Sequence, residues 1–220
     1  MHSSIRVTLL LALAGFARSA SGQDVSTPGG AIDIAAFAGY AVNGDVVASG
    51  GTLRVDDAAS YGASMGFALQ SRTKLELSWI YSGTQAQFLS GSPAYSNSPA
   101  FNLAMHYFQA GGTVGFLDGA FRPFLSGSLG AALYLPGSVN LGSAGTFTPA
   151  ATWRFAFTLG VGLEYFFSKV VGLRLDARLL APVYFSSGSF YAGAGGSALT
   201  VSGGVPFVQG CFTGGLVVSL

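Results

Sequence analysis

Apolar and polar residues alternate with a period of two along most of the chain from residue 31 to its end. The clearest segment spans residues 153–167. Its large apolar positions are Phe155, Phe157, Leu159, Val161, Leu163 and Tyr165. The positions between them are small or polar, beginning with Arg154 and ending with Glu164. Because successive side chains of a strand point to opposite faces, this pattern predicts a β-strand with one apolar face.

Eight such segments follow one another along the chain. They span about 31–42, 59–69, 74–83, 101–116, 122–134, 152–167, 171–185 and 205–220. The connections after the second, fourth and sixth segments are short, whereas the others span roughly 43–58, 84–100, 135–151 and 186–204. Short periplasmic turns, longer external loops and an even strand count are typical of transmembrane barrels. We therefore predict an all-β fold: an eight-stranded antiparallel up-and-down transmembrane β-barrel with both chain ends periplasmic.

The composition favours a membrane environment for this barrel. Charged residues make up 9% of the chain and hydrophobic residues 50%, whereas soluble domains carry about 25% charged residues. After residue 22 no apolar run reaches the length of about 18 residues that a spanning helix needs. Since only helices and closed barrels pair every backbone group inside a membrane, the barrel is favoured. A soluble ligand-binding barrel, which would partition into water without detergent, remains an alternative.

The first 22 residues have the three parts of a secretory signal peptide. Arg6 stands in a short basic region, residues 7–17 are apolar, and Ala20-Ser21-Gly22 provides a small-x-small cleavage site. We predict a cleaved Sec signal over 1–22, a short periplasmic segment over 23–30 and the barrel over 31–220. An uncleaved anchor helix is the less favoured interpretation, because the apolar run is too short.

Most charged residues of the predicted strands lie on their inward faces, near the periplasmic ends. These residues are Asp33, Lys74, Glu76, Glu164, Arg174, Asp176 and Arg178. Since buried charges of both signs are rarely left unpaired, we predict an interior ion-pair network that closes the periplasmic end of the barrel. The alternative is a set of independent, solvated side chains near the rim.

The inward positions above these charges are small. They include Gly62, Ser64, Gly66, Ser126, Ser128, Gly130, Ala156, Thr158 and Gly160. An eight-stranded barrel has just enough interior for its own side chains, so small residues predict a water-filled pocket that opens outward. A through-pore is less favoured, because long charged side chains crowd the other end.

The phase of the fourth segment changes along its length. Leu103, Met105 and Tyr107 face one way, whereas Val114 and Phe116 continue in the opposite phase. Either a bulge near 107–112 shifts the strand, or the register assigned to this segment is different.

Aromatic residues gather at both ends of the predicted strands, as interfacial girdles require. The outer set is Tyr40, Tyr61, Tyr81, Phe101, Trp153, Tyr184, Phe185 and Phe207, and the inner set is Phe116, Phe121, Tyr165 and Phe167.

Candidate chemistry is sparse. His106, the single histidine after the leader, is a candidate general base, but a structural histidine facing the lumen is the favoured interpretation. Cys211, the single cysteine, is a candidate nucleophile, but a small side chain that packs inside the barrel is the favoured interpretation. We expect no cofactor, because no metal-ligand cluster or phosphate loop is present in the sequence. A net charge of +1 argues against a nucleic-acid partner.

Two stretches resemble small outer-membrane barrels of the OmpA/OmpX type. Residues 160–178, GVGLEYFFSKVVGLRLDAR, resemble the hairpin between strands six and seven of that family. Residues 122–130, RPFLSGSLG, resemble the start of its fifth strand. The final residue departs from the family pattern, since Leu220 stands where the family usually has Phe or Trp.

The resemblance implies an envelope-structural, adhesive or surface-recognition role, mostly without enzymatic activity. Phe147, Phe190 and Tyr191 are candidate recognition residues in the long loops, although these loops are equally consistent with solvated connections that bind nothing. A small-solute channel is one alternative function. A second is a lipid-modifying enzyme similar to outer-membrane lipid-A deacylases, although the serine of their motif is absent around His106. Expected partners are outer-membrane lipid, lipopolysaccharide and the outer-membrane assembly machinery, with the protein a monomer.

Overall fold

The computed structural model describes residues 31–48, 51–90, 100–140, 145–183 and 208–220. These residues form twelve strands. The strands are β1 (Ile32–Val42), β2 (Val46–Ala48), β3 (Gly51–Val55), β4 (Ala58–Gln70), β5 (Thr73–Ser90), β6 (Phe101–Gly115), β7 (Phe121–Pro136), β8 (Val139–Asn140), β9 (Thr146–Phe147), β10 (Thr152–Phe166), β11 (Val171–Val183) and β12 (Gln209–Ser219). No helix in the described ranges is long and apolar enough to cross a membrane.

Eight long strands close into an antiparallel barrel, as the alternation predicted. The order is β4-β1-β12-β11-β10-β7-β6-β5, and β5 pairs back onto β4. The first and last strands meet directly, with Phe37 opposite Gly215. At the end of this seam Leu220 N donates to Ile32 O at 2.8 Å. Because the sheet closes on itself, none of the eight strands leaves a free edge within the barrel wall.

The barrel has two distinct ends. Short connections join β4 to β5, β6 to β7 and β10 to β11 at one end, which we call the turn end. Longer connections leave the opposite end, which we call the loop end. The observed strand bounds agree with the predicted segments to within a few residues for six of the eight strands. The predictions for residues 1–30, 184–185 and 205–207 concern positions outside the described residues.

Two elements of the loop end differ from the prediction. β5 continues to Ser90 rather than ending near 83, and the connection predicted over 43–58 contains the β2–β3 hairpin. β3 pairs with the added length of β5, with Arg54 opposite Gln87. The period of two continues as far as Ala86, and the longer β5 offers β3 an edge to pair with. We call this extension the β3–β5 arm.

Except on β6, the alternation along the barrel strands sorts the side chains as the sequence predicted. Leu159, with 67% of its surface exposed, faces outward, and its neighbours Thr158 and Gly160 are buried inside. The outward face carries large exposed apolar residues on all eight barrel strands. Examples, one from each strand in chain order, are Ile34, Met65, Leu77, Val114, Leu129, Leu159, Leu175 and Leu216. A contiguous apolar exterior of this extent is suited to lipid rather than to water.

The predicted water-filled pocket at the loop end is wrong. Large side chains from other strands fill that half of the lumen. The group we call the apolar plug comprises Phe37, Ile80, Leu103, Met105, Tyr107, Tyr134 and Leu180, with Leu53 and Val55 of the arm packed above. The small residues make room for these large ones: a Cβ on Gly62 would lie 2.7 Å from Cε2 of Phe37.

Of the two alternatives for residues 107–112, the bulge is wrong and the different register is correct. β6 pairs with β5 in one unbroken register, from Thr73 opposite Val114 to Ala86 opposite Phe101. Met105 and Tyr107 face the lumen and belong to the same phase as Thr113. The apparent switch arose because large apolar side chains occupy inward positions in the upper half of this strand.

The aromatic girdles are present with one exception. Tyr40, Tyr61 and Trp153 are exposed near the loop end, and Tyr165 is exposed near the turn end. Phe101 instead packs against the apolar plug. The predicted girdle residues Tyr184, Phe185 and Phe207 lie outside the described residues.

Candidate functional site

The seven charged residues singled out from the sequence lie together inside the turn end of the barrel. Asp33 comes from β1, Lys74 and Glu76 from β5, Glu164 from β10, and Arg174, Asp176 and Arg178 from β11. Each occupies an inward position of its strand, and all except Lys74 are buried. We call these seven residues the ionic floor.

Arg174 stands at the centre of the ionic floor. Its guanidinium Nη2 lies 2.7 Å from Oε2 of Glu76, and its Nε lies 2.9 Å from Oδ2 of Asp176. A third carboxylate, that of Glu164, is 3.5 Å from Nη1. The ring of Phe124 lies beneath the guanidinium, 4.7 Å from Cζ to the ring centroid. A planar, always charged group with several donors is suited to hold three carboxylates at once.

Two further cations complete the ion pairs. Lys74 Nζ lies 2.5 Å from Oδ2 of Asp33 and 3.0 Å from Oε2 of Glu164. Arg178 Nη2 lies 3.2 Å from Oδ1 of Asp176 and 3.5 Å from Oε1 of Glu76. Every one of the seven charges therefore has at least one partner of opposite sign, and the pairs form one connected set.

The ionic floor meets the apolar plug at Phe37. The guanidinium of Arg178 lies over the Phe37 ring, with 4.9 Å between Cζ and the ring centroid. Phe37 itself belongs to the apolar plug. At the turn end, a small cavity of about 30 Å³ touches Lys74, Arg122 and Glu164, which is room for about one water molecule.

Arg122 is a member of this region that the ion-pair prediction omitted. Its Nε donates to the carbonyl of Gly119 at 2.8 Å, and its guanidinium lies 4.9 Å from the ring centroid of Phe166. In the β7–β10 register it stands opposite Glu164. The sequence did indicate an inward position for Arg122. It lies an even number of residues from Ser126 and Ser128, which were predicted to face the lumen, so all three lie on the same face of the strand.

An exposed ion pair connects two turns at the turn end. Arg72 Nε donates to Oδ2 of Asp118 at 2.9 Å, and a second nitrogen of the same guanidinium reaches that oxygen. Arg72 lies between β4 and β5, and Asp118 lies between β6 and β7. The hydrogen bond from Arg72 is the main reason that the pKa of Asp118 is lowered from its usual range.

The loop half of the lumen holds a separate group of buried hydrogen bonds. The Tyr107 and Tyr134 hydroxyls lie 3.1 Å apart, and Tyr107 also donates to the side-chain carbonyl of Gln209. Cys211 faces inward, and its thiol donates to Oγ of Ser60 at 3.4 Å. These buried hydroxyl, amide and thiol groups thus have hydrogen-bond partners in one another, as burial requires.

His106 does not face the lumen, so the predicted lumen position is wrong. It alternates with Met105 and Tyr107, which fill the interior, and therefore lies on the outward face of β6. Its Nδ1 accepts a hydrogen bond from Nε1 of Trp79 at 3.3 Å. Its ring contacts those of Trp79, Tyr81 and Phe108.

Of the three predicted recognition residues, Phe147 lies in β9 and is 40% exposed. Phe190 and Tyr191 lie outside the described residues. Across the described ranges, no group of three or more His, Cys, Asp or Glu side chains is placed to hold a metal ion.

Comparison with known proteins defines the fold class. The chain matches no protein-family model and no curated protein sequence. Among solved structures it is similar to small outer-membrane β-barrels. One is Neisserial surface protein A, NspA, with 15% identity, a TM-score of 0.54, and coverage of 86% of this chain and 97% of that one. Another is the outer membrane protein OprG from Pseudomonas aeruginosa, with 13% identity, a TM-score of 0.53, and coverage of 85% and 96%. At these identities the similarity shows the fold alone.

Proposed function

We propose that this chain is an integral outer-membrane β-barrel protein without enzymatic activity, with an envelope-structural or surface-recognition role. The apolar exterior and the fold shared with outer-membrane barrels support the location. In this placement the turn end faces the periplasm and the loop end faces the outside of the cell. Export through the Sec pathway, with cleavage after Gly22, belongs to the same proposal.

The filled lumen is the observation that favours a structural role over that of a channel. The ionic floor crosses the lumen at the turn end, and the apolar plug fills the loop half. A conducting pore would need a continuous wetted path, and two stacked layers of packed side chains favour a closed lumen over such a path.

The loop end supports the recognition part of the proposal. The β3–β5 arm raises a paired sheet beyond the rim, and Phe147 adds an exposed aromatic ring in the chain's third long connection. Rigid strands that carry exposed side chains are a typical platform for contacts with other molecules. We propose Phe147, Phe190 and Tyr191 as contact residues, and lipid, lipopolysaccharide and the assembly machinery as the partners of a monomeric barrel.

Refolding tests the location and the closed lumen together. The chain is refolded into detergent, compared boiled and unboiled by gel mobility, and then added to a planar lipid bilayer. We expect a heat-dependent mobility shift, which indicates a compact barrel, and no steady conductance. A soluble chain with no mobility shift would contradict the membrane barrel, and a steady ohmic conductance would contradict the closed lumen.

A further inference from the structure

Lys74 is the one cation of the ionic floor that can act as a nucleophile. The other two, Arg174 and Arg178, carry guanidinium groups that stay charged, whereas a lysine that gives up a proton becomes a reactive amine. Nζ of Lys74 contacts two carboxylates, Oδ2 of Asp33 at 2.5 Å and Oε2 of Glu164 at 3.0 Å. An amine between two acids is the arrangement that amide formation needs, because it supplies a nucleophile, a carboxyl carbon and a second acid that carries protons.

Gly66 allows Lys74 and Asp33 to meet. Asp33 on β1 stands opposite Gly66 on β4, and β4 separates β1 from β5, which carries Lys74. A Cβ on Gly66 would lie 3.6 Å from Cβ of Asp33 and 3.7 Å from Cδ of Lys74. The two side chains therefore approach each other over a position of the central strand that has no side chain. Glu164 reaches the same amine from β10, on another wall of the barrel.

The three groups are held away from bulk water. The side chains of Lys74, Asp33 and Glu164 are 19%, 10% and 4% exposed. Because charges are costly in such surroundings, an uncharged amide is favoured over an ammonium and a carboxylate. Fixed contact between the reacting groups also removes the entropic cost of bringing them together. The cavity of about 30 Å³ that touches Lys74 and Glu164 has room for the one water molecule that amide formation releases.

We propose that Lys74 and Asp33 condense into an intramolecular amide, with Glu164 as the catalytic acid and base. A proton first passes from Nζ of Lys74 to Oδ2 of Asp33, which leaves a neutral amine beside a carboxylic acid. The nitrogen lone pair then forms a bond to Cγ of Asp33, and Nζ gives a second proton to Oε2 of Glu164. Glu164 transfers this proton to Oδ2, the Cγ–Oδ2 bond breaks, and water leaves. One hydrogen stays on the amide nitrogen, and nothing is oxidised or reduced.

This amide connects β1 to β5 across β4 and closes a covalent ring over residues 33–74. A ring of this kind restricts the unfolded chain as a disulfide does, in a protein whose single cysteine allows no internal disulfide. Arg174 still contacts Glu164, so the rest of the ionic floor keeps its pairs. The modification requires only the folded barrel and is therefore independent of the proposed envelope role.

The test compares the mass of the full chain before and after folding. The chain is either kept in urea or refolded into detergent and denatured again, and both samples are measured by intact mass spectrometry. We expect the refolded chain to be lighter by one water molecule. Fragmentation after proteolysis should show the peptides that contain Asp33 and Lys74 joined to each other. This second measurement is needed because an imide at Asp118-Gly119 would also lose one water molecule.

Three variants assign the roles of the side chains. Lys74→Arg keeps the cation and removes the amine, so it should lose no water. Lys169→Arg is the matched control and should lose water as the wild type does, since Lys169 is the chain's other lysine and is exposed in the turn after β10. Glu164→Gln keeps the shape of the side chain but cannot carry a proton, so it should form the linked chain about a hundredfold more slowly or less.

A heat-dependent gel shift shows whether each variant has folded. A folded wild-type chain of unchanged mass, or a loss of water without joined Asp33 and Lys74 peptides, would overturn the proposal and leave the pair a salt bridge. Linkage at an unchanged rate in Glu164→Gln would overturn the catalytic role of Glu164. Absence of the gel shift in the wild type would instead contradict the membrane barrel, so the two failures are distinguishable.

Discussion

Arg174 and Glu76 form an ion pair of 2.7 Å across the full width of the lumen. Arg174 belongs to β11 and Glu76 to β5, and these strands are four steps apart in either direction around the barrel. One path is β11-β12-β1-β4-β5, and the other is β11-β10-β7-β6-β5. The pair therefore connects opposite walls directly, in addition to the hydrogen bonds that connect each strand to the next.

Replacing Arg174 with alanine should destabilise the folded barrel by about 3–5 kcal/mol, because it leaves Glu76, Asp176 and Glu164 buried with fewer cations. The measurement is the urea midpoint of unfolding from lipid vesicles, with both directions of the transition recorded. Arg54→Ala is the control, since Arg54 and Asp56 form an exposed pair at 3.7 Å. Such a pair contributes less than about 1 kcal/mol. Equal midpoints for the two variants would contradict a stabilising role for the ionic floor.

Removing the ionic floor should not open the barrel. In an Arg174→Ala, Arg178→Ala double variant, the apolar plug still fills the loop half of the lumen, so we expect no steady conductance in planar bilayers. Adding Tyr107→Ala to this variant removes a plug residue that is 1% exposed and a partner of Gln209. We expect conductance events only in the triple variant. Conductance in the double variant would show that the ionic floor alone closes the lumen.

The difference in polarity between the two faces of a strand determines whether its inward positions can be identified from the sequence. On β11, Arg174, Asp176 and Arg178 alternate with leucine and alanine, so inside and outside are unambiguous. On β6, Met105 and Tyr107 point inward while His106 and Phe108 point outward. Both faces of that stretch carry large apolar or aromatic side chains, so the pattern does not identify the inward face. The sequence therefore left the bulge and a different register open, of which the second is correct, and the position of His106 was predicted wrongly.

Contacts that depend on how the barrel closes cannot be predicted from the pattern of residues along the chain. The inward charges could be identified, but the partner of each depends on which strands face each other across the lumen. Small inward residues likewise predict a water-filled pocket, because the sequence does not show that a large side chain from another strand fills the space beside them. Gly62 and Phe37 show this relationship on neighbouring strands.

Two glycines of β4 should respond differently to alanine. A Cβ on Gly62 would lie 2.7 Å from the ring of Phe37 and even closer to the backbone carbonyl of Trp79. On Gly66 it would meet Asp33 and Lys74 at 3.6 and 3.7 Å, which is ordinary contact. Gly62→Ala should therefore cost about 1–3 kcal/mol by overpacking, and Gly66→Ala much less. Urea midpoints of the two variants make the comparison, and a Gly66→Ala variant as unstable as Gly62→Ala would contradict this account of the packing.

The turn pair of Arg72 and Asp118 should make stability depend on pH at the acidic end. The hydrogen bond from Arg72 lowers the pKa of Asp118 in the folded protein. The folded state therefore binds this proton less readily than the unfolded state, so the contribution of the pair is complete above the unfolded pKa of about 3.9. It disappears as the pH falls through the lower folded value. Because both side chains are exposed, the contribution should be small and should weaken further in high salt.

Asp118→Asn isolates this pair, because it removes the carboxylate and leaves the length of the turn unchanged. We expect the wild type to exceed the variant in urea midpoint at pH 7, and the difference to vanish well below pH 4. Asp45→Asn, in the connection at the opposite end of the barrel, is the control and should give the same midpoint as wild type at both pH values. A wild-type advantage over Asp118→Asn that persists undiminished at the lowest pH would show that the charge of Asp118 is not its source.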